Sequence, residues 1–176
     1  MLLNQKILIC FGGESIKECG IFYDRQTLFP DGDDDFFLFL FDGLRIVGAL
    51  AFTICCEYDY GDSAEDDCDV LGSPEKIYIY FSVKRIAILE DYRGYGLSNL
   101  LKGSLVEMIM DERLIPYFKS NSYKDLPVEF HHYSDYASPE GERWSKKLYV
   151  LLKNVLGELS RKGVLPKITY NYEAGI

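Results

Sequence analysis

The stretch from Ile77 to Ile109 limits the architecture more than any other part of the sequence. Ile77 to Leu89 is long and rich in β-branched and aromatic residues, which suits a central strand of a sheet. Glu90-Asp91-Tyr92 makes a turn. After it Leu97, Leu100, Leu101, Leu105, Met108 and Ile109 recur at three- and four-residue spacing, placing one apolar stripe on a helix that starts near Ser98. A strand feeding such a helix through a short glycine-containing turn is a β–α unit whose helix covers the sheet.

The flanking segments supply the rest of that sheet. Lys6 to Phe11 is a short apolar run closed by Gly12-Gly13 and reads as a first strand. Ser15 to Leu28 has weak helical spacing interrupted by Gly20. Phe36 to Phe41 and Leu44 to Cys56 are aromatic and β-branched runs joined at Asp42-Gly43, a hairpin signal that predicts antiparallel pairing. Glu57 to Glu75 is acidic and contains Gly61, Gly72 and Pro74, so a solvated loop is expected there. Val128 to Tyr133 reads as a strand. Ser138-Pro139-Glu140 combines an N-cap, a first-turn proline and an acidic residue. A stripe of Trp144, Leu148, Leu151, Leu152, Val155, Leu156 and Leu159 follows, stopped by Arg161-Lys162-Gly163 and Pro166. Lys167 to Tyr172 reads as a last strand. The expected architecture is α/β: one domain over residues 1–176 with a mixed sheet and helices packed on it.

Composition narrows the function classes. Five cysteines, with no Cys-x-x-Cys pair and only two histidines, point to free thiols in a reducing compartment and give no zinc site. No apolar run reaches the roughly 20 residues needed to span a bilayer, and the first residues lack the features of a secretory leader, so a cytoplasmic protein is expected. The formal net charge of -9 disfavours nucleic acid and anionic lipid as partners and favours cations.

Arg93-Gly94-Tyr95-Gly96-Leu97-Ser98 carries the chemistry. Unpaired N–H groups at the start of a helix converge on one spot that the helix dipole makes positive, so a phosphate can bind there. Two glycines allow close backbone approach, and Arg93 adds a charge-assisted contact. A P-loop requires Gly-Lys-Ser/Thr, and a dinucleotide fingerprint requires three glycines early in a βαβ unit; neither is present.

Residues 86–109 resemble motif A of the GNAT acetyltransferases, Arg/Gln-x-x-Gly-x-Gly/Ala, preceded by apolar-x-x-Glu/Asp-x-Arg at Ile88, Asp91 and Arg93. Ser98 departs from the pattern, standing where the family has Gly or Ala. The resemblance implies a mostly antiparallel sheet that bulges in strand 4 and splays between strands 4 and 5. It implies acetyl-CoA as cosubstrate, with the pyrophosphate on residues 93–98, the pantetheine arm along Ile86, Ala87 and Ile88, and the Ile88 amide as an oxyanion donor. No metal is implied. Tyr149 would protonate the leaving thiolate, although Glu142 and Ser145 replace the family's Asn and Ala around it. Glu57, His131 and His132 are the candidate bases for an amine that arrives protonated; adjacent strand residues face opposite ways, so only one histidine can reach the cleft. The expected acceptor is a cationic primary amine, drawn by the acidic segment Glu57 to Asp69. The alternatives are a toxin-type enzyme acetylating aminoacyl-tRNA and a CoA-binding module without catalysis. A family member normally closes with a two-strand hairpin, whereas Gly163 to Ile176 holds one strand, leaving an edge that a homodimer would cover.

Overall fold

The computed structural model describes residues 5–11, 36–42, 44–61, 74–120, 125–134, 136 and 138–174. Its strands are β1 (Gln5–Phe11), β2 (Phe36–Asp42), β3 (Arg45–Asp59), β4 (Lys76–Ile88), β5 (Val128–Ser134) and β6 (Ile168–Ala174). They form one mixed sheet in the order β1-β2-β3-β4-β5-β6, antiparallel from β1 to β4 and parallel from β4 to β6. The helices are α1 (Leu97–Glu107), a π-helical segment (Met108–Leu114), α2 (Ile115–Ser120) and α3 (Pro139–Arg161).

The expected strands are present, and β3 and the first helix run further than expected. β3 runs past Cys56, where a loop was expected, because Glu57, Tyr58 and Asp59 pair with Tyr78, Ile77 and Lys76. The first helix continues beyond its apolar stripe through the π segment into α2. Pro116 has no N–H to give the Glu112 carbonyl, and the widened turn, in which the Ile115 N–H reaches the Met110 carbonyl, sits immediately ahead of it. The weak helical segment at 15–28 and most of the acidic segment after Gly61 lie outside the described residues.

Strand alternation sorts the sheet into two faces. Ile77, Ile79, Phe81 and Val83 of β4 and Val128 and Phe130 of β5 are buried on one face, packed with Leu97, Leu101 and Leu105 of α1 and Leu148, Leu152 and Leu156 of α3. α2 lies on the same face, where the Tyr117 hydroxyl bonds that of Tyr58 and accepts from the Cys56 thiol at 3.5 Å. Burial pushes that thiol up to about 11, so Cys56 is protonated, packed against the edge of the core. All the described helices therefore cover one face. The opposite face carries Glu57, Tyr78, Tyr80, His131 and Tyr133.

A β-bulge interrupts β4 at Lys84: Phe52 of β3 faces Val83, but Ala51 faces Arg85. Val83 is also the last β4 residue paired with β5, opposite Ser134. From the bulge onward β4 keeps β3 and loses β5, which opens a gap in the sheet at the carboxyl end of β4.

Candidate functional site

The gap is the wall of a cleft of about 620 Å³, lined by Ile86, Ala87 and Ile88 of β4, by the turn residues Tyr92, Arg93, Gly94 and Gly96, by Leu97 and Ser98 of α1, and by the start of α3. That volume lies in the range of small-molecule and cofactor sites. Every residue to which the sequence assigns cofactor contact lines it except Tyr95, whose side chain is exposed.

The backbone of the β4 wall has free polar groups. The Leu89 N–H is given to the Val47 carbonyl on β3 at 2.9 Å. Successive strand residues face opposite neighbours, so the N–H and C=O of Ile88 and Ile86 point away from β3, into the gap. Arg93 folds back so that its Nε donates to the Ile88 carbonyl at 3.2 Å. The Tyr92 hydroxyl donates to Asp42 at 2.7 Å, and Arg45 lies over the Tyr92 ring. The turn is thereby tied to the β2–β3 hairpin rather than swinging free.

Gly94 and Gly96 have φ of 85° and 76°. An added Cβ would meet nothing within 4 Å at either. The glycines are required by the left-handed backbone rather than by crowding inside the protein. Gly96 is the N-cap of α1, and this helix start has no side-chain cap and no acidic residue in its first turn. The Asn99 N–H already bonds the Gly96 carbonyl at 2.9 Å. The amides of Leu97 and Ser98 are left as helix-start donors in an uncapped, positive terminus.

The start of α3, which the sequence reading did not assign to the site, forms the opposite wall with Ser138, Glu140, Gly141 and Trp144. Its N-cap follows the pattern expected from sequence: Ser138 Oγ accepts from the Gly141 N–H at 3.1 Å. Trp144, expected in the apolar stripe, gives its indole N–H to the Ser98 carbonyl at 3.0 Å, joining the first turn of α1 to α3. Lys102 lies over the Trp144 ring, and its ammonium donates to Asn99 Oδ1 at 3.2 Å; burial holds its pKa below the usual lysine value. The sequence signal for this wall was the Ser-Pro-Glu start itself. Only the packing of α3 against α1 turns it toward the cleft.

The predicted catalytic side chains do not gather at the cleft. Tyr149 stacks on Tyr170 and packs at a tilt against Tyr172 of β6, with ring centroids 5.3 and 4.8 Å away, and its hydroxyl accepts from Lys153 at 3.2 Å. It follows Trp144 by five positions of α3, about 140° around the helix, which turns it from the cleft toward β6. Glu57 is exposed on the face without described helices, opposite Tyr78. Along β4, Tyr78 is roughly 25 Å from Ile86.

His132 is fully buried on the helix-covered face. It bonds the Tyr170 hydroxyl through Nδ1 at 2.8 Å and Ser134 Oγ through Nε2 at 3.0 Å. Ser145 donates to Ser134 at 2.6 Å and meets the Tyr172 hydroxyl at 3.0 Å, which in turn bonds Tyr136. Burial pushes the imidazole down to about 4, so His132 is neutral near pH 7, and its ring nitrogens are committed to a network joining β5, β6 and α3. His131 faces the other way: its Nε2 is 3.1 Å from Glu129, which also pairs with Lys76. Among the described residues no group of three or more metal-binding side chains occurs, and no helix is long and apolar enough to cross a membrane.

Compared with protein-family models, curated proteins and solved structures, the chain matches none of them.

Proposed function

We propose that this chain binds acetyl-CoA in the cleft between β4, α1 and α3 and transfers the acetyl group to a primary amine, as a GNAT-type N-acetyltransferase. One observation carries the reading: the β4 end and the Arg93–Ser98 turn, singled out from their sequence pattern, line a single cleft with the uncapped start of α1. The donor set fits a pyrophosphate. Leu97 and Ser98 offer helix-start amides, Arg93 a guanidinium, and Gly94 and Gly96 a backbone free of side-chain cover. Ile86 offers its N–H and C=O, and Ile88 its N–H, to an amide-containing arm lying in the gap, with the Ile88 N–H suited to donate to a developing oxyanion. Acetyl-CoA supplies an acyl group activated as a thioester. The chain's part is to hold that ligand in an extended form beside the bulge.

The test is a thermal shift. Acetyl-CoA at a hundredfold excess over its dissociation constant should stabilise the fold by about 2.7 kcal/mol, and Gly96→Val should abolish the shift. A wild-type melting temperature that ignores millimolar acetyl-CoA sinks the reading. A second reading, a CoA-binding module without catalysis, is favoured by the absence of Tyr149, Glu57 and His132 from the cleft lining. It predicts the same thermal shift but no free-thiol release with any member of an amine pool.

A further inference from the structure

We propose that the face of the sheet opposite the described helices binds an extended aliphatic cation with two or more ammonium groups, laid across the rings of Tyr78, Tyr80, His131 and Tyr133 between the carboxylates of Glu57 and Glu173. The rings form a floor. Tyr78 stacks on Tyr80 with centroids 6.1 Å apart, Tyr80 on Tyr133 at 6.3 Å, and His131 lies within 5.4 Å of Tyr80 and 6.3 Å of Tyr133. All four are half-buried on strands in the middle of the sheet.

The face already holds one ammonium of its own. Lys76 Nζ lies 5.0 Å over the Tyr78 ring while pairing with Glu129, within the roughly 6 Å reach of a cation–π contact. Glu57 and Glu173 stand at opposite corners: Glu57 is on β3 in register with Tyr78, and Glu173 is on β6 in register with Tyr133. Three strand spacings and four residues along the strand put them about 20 Å apart. Their charges reach the floor, since the Tyr80 hydroxyl is held above its usual value by burial and then by Glu57, and that of Tyr133 by burial and then by Glu173. Methylenes along the aromatic rings and ammonium groups at the carboxylates describe a linear polyamine. A peptide main chain finds less here, because β4 lies between β3 and β5, and β5 between β4 and β6, with their ladders made.

The floor runs to Ser82 and Tyr133, next to the Val83–Ser134 pair where the sheet opens. If the cleft holds acetyl-CoA, a cation lying here has one end beside that opening; this role as acceptor rests on the function proposed above, whereas the binding face does not. The test is calorimetric titration of spermine into the full chain at low ionic strength. Glu57→Gln and Glu173→Gln should each weaken binding by about threefold. Tyr80→Leu should weaken it by about tenfold, and Tyr80→Phe, which keeps the ring, by less than about twofold. Glu158→Gln, which removes the same charge from the far end of α3, should change nothing. Equal losses for Glu158→Gln and Glu57→Gln, wild-type affinity in a folded Tyr80→Leu variant, or saturable binding of a lysine-rich peptide but not of spermine would each overturn the proposal. Spermine binding with no acetyl-CoA shift would keep this face and remove the acetyltransferase reading. An acetyl-CoA shift without spermine binding would do the reverse.

Discussion

Glycines at Gly96 and Gly157 have opposite physical justifications, and substituting each by alanine separates them. Gly96 has a left-handed backbone, whereas Gly157 is helical within α3; neither has an atom within 4 Å of an added Cβ. Gly96→Ala should destabilise by about 1–2 kcal/mol through backbone strain alone. Gly157→Ala should stabilise by about 0.5–1 kcal/mol. Urea denaturation midpoints of the two variants should therefore move apart. His132 makes a second prediction. Its native pKa of about 4 lies below the value of 6.5 expected when unfolded, so below pH 6.5 the unfolded chain takes up the proton first. The stability this contributes is present above pH 6.5 and is lost as pH falls toward 4, by up to about 3 kcal/mol. His132→Asn, compared with wild type at pH 7 and pH 4.5, should show a smaller loss on acidification; an equal loss would assign the acid sensitivity to other groups.

The two helix starts at the cleft differ in their caps, and that difference has a measurable consequence. α3 begins with a Ser138 side-chain cap, and α1 begins at Gly96 with none. Ser138→Ala should cost about 1 kcal/mol of folding stability. If Tyr149 does not act in the cleft, Tyr149→Phe should leave amine-dependent thiol release within about twofold of wild type, whereas a general acid contributes about a hundredfold or more. A hundredfold fall would mean that α3 turns Tyr149 toward the cleft during turnover. The hairpin from β2 to β3, the strand β4 and the helix α3 were legible because each is specified by neighbours a few residues apart: the turn at Asp42-Gly43, β-branched runs, a capping serine and a heptad-like stripe. The π-helical segment left no such trace in the stripe.

One contiguous apolar cluster joins β2, β3, β4 and β5 to α1, α2 and α3. Unfolding should therefore be a single cooperative transition, with far-UV circular dichroism and Trp144 fluorescence coinciding in urea; separated midpoints would divide the chain into independent units. The candidate site depends on this unity. Its walls come from β4, from the turn tied to Asp42, and from α3, which follows the turn in sequence by about forty residues.

The Arg93–Ser98 turn was readable as a candidate anion site because its properties are local: positive φ at glycine, unpaired amides at a helix start and an adjacent arginine lie within six residues. What faces that turn was settled by tertiary structure. Strand register decided that Glu57 sits near Tyr78, far along β4 from Ile88, and that β5 ends its pairing at Ser134. Helix azimuth decided that Trp144 rather than Tyr149 lines the cleft, and alternation on β5 sent His131 and His132 to opposite faces. Local sterics and capping act over one turn of chain, whereas convergence of distant side chains requires the register of the whole sheet and the seating of each helix upon it.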